Sequence, residues 1–120
     1  MRIITGRARG IRLKPLEGEA TRPTAERVKE AVFSMLQFDL EGREVLDLYA
    51  GSGQMGLEAL SRGAERATFI DSSREAMEIV KANATSTGFF AFLKVTAPPR
   101  PIYIPSFTIS FAISTEPEKQ

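Results

Sequence analysis

The stretch of this chain that carries the most chemical information is residues 45–56, which read VLDLYAGSGQMG. A short apolar run contains Asp47 and leads into three glycines with the spacing G-x-G-x-x-G. That spacing is a weak signal alone. Here it follows a predicted strand, precedes a predicted helix, and has Asp71 at the end of the next predicted strand. The layout is typical of a pocket for an adenosine-type cofactor at the carboxyl edge of a parallel sheet.

Each part of this pattern has a physical task. Gly51 and Gly53 lack a Cβ atom, so the backbone can turn sharply there and approach a ligand closely. The helix that follows Gly53 offers free N–H groups to an anionic group. The Asp71 carboxylate can accept hydrogen bonds from both hydroxyls of a ribose, and each bond to a charged acceptor contributes roughly 1.5–3 kcal/mol.

Asp47 separates two classes of cofactor. A dinucleotide would place its pyrophosphate over the glycine turn, where a carboxylate just before the first glycine would repel it. S-adenosylmethionine has no phosphate and carries a sulfonium and an ammonium, which favour a nearby carboxylate. We therefore predict S-adenosylmethionine as the cofactor. The alternative is a tight strand–helix turn without a ligand, in which Asp47 only caps the loop.

Composition limits the remaining chemistry. The chain has 120 residues, a net charge of +1, no cysteine and no histidine, so disulfides and thiolate metal sites are excluded and no metal is predicted. The N-terminus has no apolar signal core, and the longest uncharged run, residues 101–115, is too short and too rich in proline to span a bilayer. These features predict a cytoplasmic protein that is a monomer when folded and has no membrane partner.

The elements that must position the glycine turn follow a strand–helix rhythm. The predicted elements are a basic hairpin over residues 2–14, strands over 44–48 and 66–71, and helices over 24–36, 53–62 and 72–84. A Ser72-Ser73-Arg74-Glu75 capping box is predicted to start the last helix, and Gly88 stops it. This order predicts an α/β fold, a Rossmann-like half-sheet of parallel strands with flanking helices and right-handed crossovers.

The helix over residues 24–36 has two predicted faces. Its apolar stripe is predicted to be core and consists of Val28, Ala31, Val32, Met35 and Leu36. Its charged residues are predicted to form a solvated face and are Glu26, Arg27, Lys29 and Glu30.

Two further segments have open interpretations. The first fourteen residues carry five cations and no acid, and these can neutralise phosphates or form the solvated face of the hairpin. Before the first helix, Arg22 and the Thr24 hydroxyl could close over the carboxylate of the cofactor's methionine. Pro23 and Thr24 could equally make an ordinary helix start.

Residues 89–120 differ in amino-acid composition from the rest of the chain. They contain five charged residues against 26 in residues 1–88, and five of the seven prolines. Residues 89–96 could form a third strand, and residues 107–113 alternate as a strand does, free to pair with an open edge or another chain. We predict three units, a hairpin over 1–16, a cofactor-binding half-domain over 17–88 and an atypical tail over 89–120.

Three ordered blocks resemble one known family. They are RIITG in residues 2–6 with Arg9 and Gly10, TRPT in residues 21–24 with RVKEAVF in 27–33, and LDLYAGSG in 46–53 with GLEALSRGA in 56–64. They resemble the bacterial 16S rRNA guanine-N2 methyltransferases of the small-subunit type. The resemblance covers about residues 1–88 and implies a class I methyltransferase fold. It also implies transfer of a methyl group from S-adenosylmethionine to the exocyclic N2 of a guanine in 16S rRNA or the small ribosomal subunit.

The resemblance also implies residue roles. The implied cofactor contacts are Arg22, Thr24, Asp47, Ala50, Gly51, Ser52, Gly53, Asp71 and Ser72. The implied RNA contacts lie in the basic hairpin and are Arg7, Arg9, Arg12 and Lys14.

The sequence departs from the family after residue 88. The family carries an Asp/Asn-Pro-Pro-Phe/Tyr motif whose oxygens hold the guanine amine and whose ring stacks on the base. Ala97-Pro98-Pro99-Arg100 has neither the acceptor nor the ring, so no catalytic residue is assigned. A frameshift or truncation near Gly88 is our hypothesis for this departure. The alternatives to an enzyme are a non-catalytic module that binds cofactor or RNA, and an NAD-binding oxidoreductase fragment.

Overall fold

A computed structural model describes residues 1–17, 24–48, 50–97 and 110–113 of the chain. The helices are α1 Thr24–Leu36, α2 Gln54–Ser61 and α3 Arg74–Thr87. The strands are β1 Glu44–Leu48, β2 Arg66–Ile70, β3 Leu93–Thr96 and β4 Ser110–Ile113, and a 3₁₀ turn at Phe90–Phe92 precedes β3.

The four strands form one sheet in the order β3-β2-β1-β4. β1 and β2 pair in parallel, with Leu48 opposite Ile70, and β2 and β3 also pair in parallel. β4 runs antiparallel to β1 and places Ser110 opposite Leu48. The three parallel strands with their crossover helices confirm the predicted α/β class. The predicted strand over residues 107–113 is observed for its last four residues, and residues 98–109 lie outside the described part.

Helices α2 and α3 cover one face of the sheet, and Phe69 at its centre has no exposed surface. A Cβ atom built at Gly56 would lie 2.3 Å from the Phe69 ring, and one at Gly53 would lie 3.2 Å from Val80. These two glycines therefore let α2 lie directly on the sheet. The opposite face presents Leu46, Leu48 and Ile70, which are half-buried.

The predicted faces of α1 are only partly correct. Three of the four charged residues are exposed as predicted, and Leu36 packs against the core, but other positions differ. Met35 is 82% exposed and Val28 is 41% exposed, although both belong to the predicted core stripe. Over residues 26–36, where side chains are described, the fully buried ones are Lys29 and Phe33, and Lys29 was predicted to be solvated. The reason is tertiary, because Lys29 has charged and polar partners inside the protein that the helix sequence alone does not reveal.

The predicted basic hairpin is an irregular antiparallel turn with one β-bridge, between Arg2 and Arg12. Hydrogen bonds from the Ile3 N–H to the Ile11 carbonyl and from the Leu13 N–H to the Met1 carbonyl, each 3.0 Å long, hold its two arms together. Its buried side chains, Ile3, Ala8 and Leu13, join the main core. We call residues 1–14 the basic arm.

Helix α3 differs from the prediction at both ends. Its N-cap is Ser73, whose Oγ accepts a hydrogen bond from the Ala76 N–H, so the predicted reciprocal box starting at Ser72 does not form. The helix continues to Thr87, and Gly88 ends it with a positive φ of 82°. Within the described ranges, no helix has both the length and the apolar character needed to cross a bilayer.

Candidate cofactor-binding site

The glycine turn joins the end of β1 to the start of α2. The Ala50 N–H donates to the Ile70 carbonyl, and the Gly53 N–H donates back to the Ala50 carbonyl at 2.8 Å, which closes the turn. Gly51 and Gly53 have φ values of 58° and 83°, in the left-handed region that favours glycine. The first residues of α2 therefore face the carboxyl edge of the parallel strands.

Asp71 reaches this turn from the end of β2. Its Oδ2 atom accepts a hydrogen bond from the Gly51 N–H at 3.0 Å, and its Oδ1 atom accepts one from the Ser73 N–H at 2.8 Å. One carboxylate thus ties the glycine turn to the start of α3. Asp71 is half-buried, and a carboxylate has about four acceptor positions, so two observed partners leave room for further donors.

Asp47 lies beneath the turn rather than at its surface. It is 4% exposed, and its Oδ2 atom accepts a hydrogen bond from the Gly56 N–H at 3.1 Å. The N–H groups of the first turn of a helix have no partner within the helix, so this carboxylate caps α2 and places negative charge at its positive end. The hydrogen bond from the Gly56 N–H thus supports the interpretation that Asp47 caps the loop.

A buried amide, Asn83 of α3, supports the turn from the side. Its Nδ2 atom donates to the Ser52 carbonyl at 2.9 Å and to the Lys14 carbonyl at 2.8 Å, while its Oδ1 atom accepts from the Lys14 N–H at 2.7 Å. The Ser52 Oγ atom donates to the Met1 Sδ atom at 3.3 Å. These contacts join the basic arm to the glycine turn.

Asn83 was not among the site residues predicted from the sequence. A signal was present, because Asn83 follows the inward-facing residues Ile79 and Val80 at the spacing of one helical face, where a polar amide needs buried partners. An amide on an apolar helix face therefore indicates a contact that its own helix cannot supply.

The structure brings together the predicted contacts Asp47, Ala50, Gly51, Ser52, Gly53 and Asp71 at one edge of the sheet. Ser72 follows Asp71 and is exposed. Arg22 and the side chain of Thr24 lie outside the described residues. The roles of all nine residues in cofactor binding remain predictions.

The four predicted RNA contacts of the basic arm, Arg7, Arg9, Arg12 and Lys14, are all exposed. Lys14 lies beside the glycine turn, through the hydrogen bonds of its backbone to Asn83. The Arg7 backbone N–H instead bonds the Ser61 carbonyl at the far end of α2. The arm therefore runs along α2, from the cofactor edge of the sheet to the opposite edge.

At that opposite edge, the Arg7 guanidinium lies 5.8 Å from the centroid of the Phe89 ring. Two grooves of about 330 and 690 Å³ open there, and both include Arg7, Glu41 and Gly63. Neither groove touches Asp47 or Asp71, so they are separate from the predicted cofactor site.

The polar groups at the carboxyl edge fit S-adenosylmethionine. The half-buried Asp71 can accept hydrogen bonds from ribose hydroxyls beyond its two backbone partners. Among residues 47–53 and 71–73 the only charged side chains are the two aspartates, which matches a cationic ligand better than a pyrophosphate.

Comparisons with known proteins agree with this fold. Residues 1–98 match the family model described as conserved hypothetical protein 95. The chain is 47% identical over 83 residues to "Putative rRNA methyltransferase YlbH" of Bacillus subtilis, covering 69% of this chain and 45% of that protein. It is 42% identical over 86 residues to "Ribosomal RNA small subunit methyltransferase D" of Escherichia coli K12, covering 71% of this chain and 43% of that protein.

A solved structure, "Putative methyltransferase yhhF from Escherichia coli", superposes with a TM-score of 0.73 at 37% identity, over 82% of this chain and 52% of that one. The chain thus spans about half the length of these relatives. The half that is shared contains the strand–turn–helix unit and the basic arm. The similarity to these named rRNA methyltransferases confirms the resemblance inferred from residues 1–88. The chain belongs to the family described as conserved hypothetical protein 95.

Proposed function

We propose that this chain is the cofactor-binding half of an S-adenosylmethionine-dependent rRNA methyltransferase that acts in the cytoplasm. The observation that carries the proposal is the glycine turn, braced by Asp71 and capped from below by Asp47. In the proposed complex, Asp71 accepts hydrogen bonds from the ribose. The buried negative charge of Asp47 favours the cationic half of the ligand over a pyrophosphate. When bound, S-adenosylmethionine supplies an electrophilic methyl group.

We propose that the basic arm contacts the RNA. Arg9, Arg12 and Lys14 are exposed, and no carboxylate in the described part of the chain lies within 4.0 Å of their charged groups. Cations in that position are available to neutralise phosphates. The similarity to proteins named as rRNA methyltransferases supports ribosomal RNA as the substrate class. The exocyclic N2 of a guanine in 16S rRNA is the finer proposal, made from the resemblance of the three sequence blocks.

Binding measurements test the cofactor proposal. Isothermal titration of the 120-residue chain with S-adenosylmethionine should give binding, and titration with NAD should give weaker binding or none. Tighter binding of NAD would instead favour the oxidoreductase fragment. Failure to bind either ligand would refute a nucleoside cofactor at this turn.

Salt dependence of RNA affinity tests the arm. Arg9→Ala should lower the slope of log affinity against log salt by about 0.7–0.9, because one fewer phosphate is neutralised. Lys94→Ala, which removes the same charge from an exposed position on β3, is the matched control and should change the slope little. Equal changes in both variants would contradict a specific role for the arm.

The second candidate is a non-catalytic module that binds cofactor and RNA without transferring a methyl group. It is favoured by the missing Asp/Asn-Pro-Pro-Phe/Tyr sequence, since that motif would hold the guanine amine. Incubation with methyl-labelled S-adenosylmethionine and either 16S rRNA or small-subunit particles separates the two candidates. Label in a guanine supports the enzyme, whereas binding of cofactor and RNA without label supports the module.

A further inference from the structure

Glu58 is a completely buried carboxylate in the middle of α2. Its Oε1 atom accepts a hydrogen bond from the Ile4 N–H at 2.9 Å and lies 3.3 Å from the Lys29 Nζ atom. Its Oε2 atom accepts from the Thr5 N–H at 3.1 Å and from the Arg62 Nε atom at 3.0 Å. Four donors from three different parts of the chain therefore converge on one side chain.

Lys29 extends this cluster from α1 to the basic arm. Its Nζ atom also donates to the Arg2 carbonyl at 2.7 Å. Burial lowers the pKa of Lys29, and although the Glu58 charge opposes this shift, nearby Arg62 adds to it. The Arg62 guanidinium lies 4.9 Å from the centroid of the Phe33 ring. The cluster thus connects the arm, α1 and α2.

The arm is fixed further along α2 by Ser61. The Ser61 Oγ atom accepts a hydrogen bond from the Ala8 N–H at 2.9 Å and donates one to the Thr5 carbonyl at 2.7 Å. A Cβ atom at Gly6 would lie 1.9 Å from the Ser61 carbonyl oxygen, so the arm backbone touches the helix directly. Residues 4–8 therefore have one register on α2.

The ion pairs alone do not account for a buried carboxylate here. Replacing a buried ion pair with apolar side chains of similar volume is often neutral or stabilising. The two arm N–H groups, of Ile4 and Thr5, impose a different requirement, because an apolar side chain would leave them without an acceptor. Glu58 is the side chain that gives both groups an acceptor on the same helix that carries the glycine turn.

We propose that Glu58 is a positioning residue for RNA recognition, holding the basic arm at a fixed place relative to the cofactor turn. The inference rests on the proposed role of the arm in RNA binding. Because Glu58 lies in the middle of α2 and does not contact the glycine turn, its loss should weaken RNA binding and leave S-adenosylmethionine binding largely unchanged.

Two variants of the 120-residue chain test this proposal. Glu58→Gln keeps the shape of the side chain but removes the buried negative charge that Lys29 and Arg62 share. The double variant Lys29→Met, Glu58→Leu removes both buried charges and keeps apolar volume, and it is the second variant to be measured if Glu58→Gln does not fold. Glu78→Gln, an exposed acid on α3 with a 67% exposed side chain, is the control for loss of one negative charge.

Three measurements are made on each folded variant: amide hydrogen exchange, affinity for 16S rRNA, and affinity for S-adenosylmethionine. The amides of Ile4 and Thr5 should exchange at least about tenfold faster than in the wild type, since each loses a bond to a charged acceptor. The salt slope of RNA binding should fall, by at most about 2.8–3.6 if all four arm cations lose their phosphates. Cofactor affinity should stay within about twofold, and Glu78→Gln should match the wild type throughout.

Unchanged exchange at Ile4 and Thr5, or unchanged RNA affinity beside faster exchange, would overturn the proposal. A parallel loss of RNA and cofactor affinity would also overturn it, because it would show Glu58 to be merely structural. If the wild-type chain itself binds no RNA, the proposed function fails and this inference fails with it. The exchange data would then still show whether Glu58 anchors the arm.

Discussion

Replacing Asp71 with asparagine separates its two tasks, the brace of the glycine turn and the proposed contact with ribose. In the structure each carboxylate oxygen accepts one backbone N–H, from Gly51 on one side and Ser73 on the other. Asparagine has one carbonyl oxygen and one NH₂ group, so it can accept from only one of these two donors. Its NH₂ group must then face the second N–H, donor against donor.

The loss of one hydrogen bond sets the size of the effect of Asp71→Asn on stability. A hydrogen bond to a charged group contributes about 1.5–3 kcal/mol, and loss of one such bond sets the upper range for Asp71→Asn. Asp71 is half-buried, so water can replace part of the lost contact, and we expect the free energy of unfolding to fall by about 1–2 kcal/mol. In the cofactor complex, losing one charged acceptor for a ribose hydroxyl weakens binding by about tenfold or more.

Urea denaturation without ligand and isothermal titration with S-adenosylmethionine measure the two effects separately. Asp39→Asn is the matched control, because Asp39 is exposed and lies beyond the end of α1. It should change neither quantity. An unfolding free energy equal to that of the wild type would refute the brace. A destabilised variant with unchanged cofactor affinity would refute the ribose contact and leave Asp71 with a structural role alone.

Three further substitutions test the packing around the site. Gly56→Ala should lower the free energy of unfolding by about 1–2 kcal/mol in urea, because overpacking against Phe69 outweighs the better helix propensity of alanine, and shortening Phe69 to leucine in the same chain should restore part of the loss. Asn83→Ala should lower the free energy of unfolding by about 2–4 kcal/mol and should increase amide exchange at Lys14, whose N–H loses its acceptor. Unchanged exchange at Lys14 would show that the arm is held without this amide. The lowered pKa of Lys29 means that the unfolded chain binds more protons between the folded pKa and 10.5. The free energy of unfolding of the wild type, minus that of Lys29→Met, should therefore rise from pH 7.5 to pH 10. A fall in this difference would contradict the lowered pKa of Lys29.

The half-sheet could be predicted from sequence because its signals are local. Residues 45–48 and 66–70 are short apolar strands, and each following helix ends near a glycine that takes a positive φ, 110° at Gly63 and 82° at Gly88. Such positions favour glycine whatever surrounds them, so the sequence marks them directly. The end of α3 was predicted three residues early because its last turn, Thr85-Ser86-Thr87, has no apolar residue to extend the stripe.

The orientation of α1 could not be predicted in this way. An apolar stripe indicates which face of a helix can be buried, but the partners decide which face is buried. Lys29 enters the core because Glu58 and the Arg2 carbonyl, both distant in sequence, supply its contacts there. Hydropathy assigns such a lysine to solvent, and only a buried acid on another helix reverses the assignment.

The sequence predicted that the residues of the candidate site lie at one turn, but it did not predict their contacts. Gly51 and Gly53 were explained by a sharp turn and close approach to a ligand, whereas the structure gives Gly53 a packing task against Val80 and Phe69 and gives Gly56 one against Phe69. Asp47 caps α2, and Asp71 braces the turn. Most residues of the G-x-G-x-x-G pattern thus have reasons to be present that need no ligand, so the pattern by itself predicts a strand–helix turn more strongly than it predicts a cofactor.

The identity of the ligand therefore depends on charge rather than on the glycines. A pyrophosphate over this turn would gain from the N–H groups at the start of α2, but the Asp47 carboxylate already occupies the Gly56 N–H and offsets the positive end of that helix. Asp71 places a second carboxylate on the other side of the turn, so the two negative charges offset the attraction of the helix N–H groups for an anion. A ligand that offers hydroxyl donors and positive charge gains from both acids, and S-adenosylmethionine has that chemistry, whereas a dinucleotide would have to overcome their repulsion.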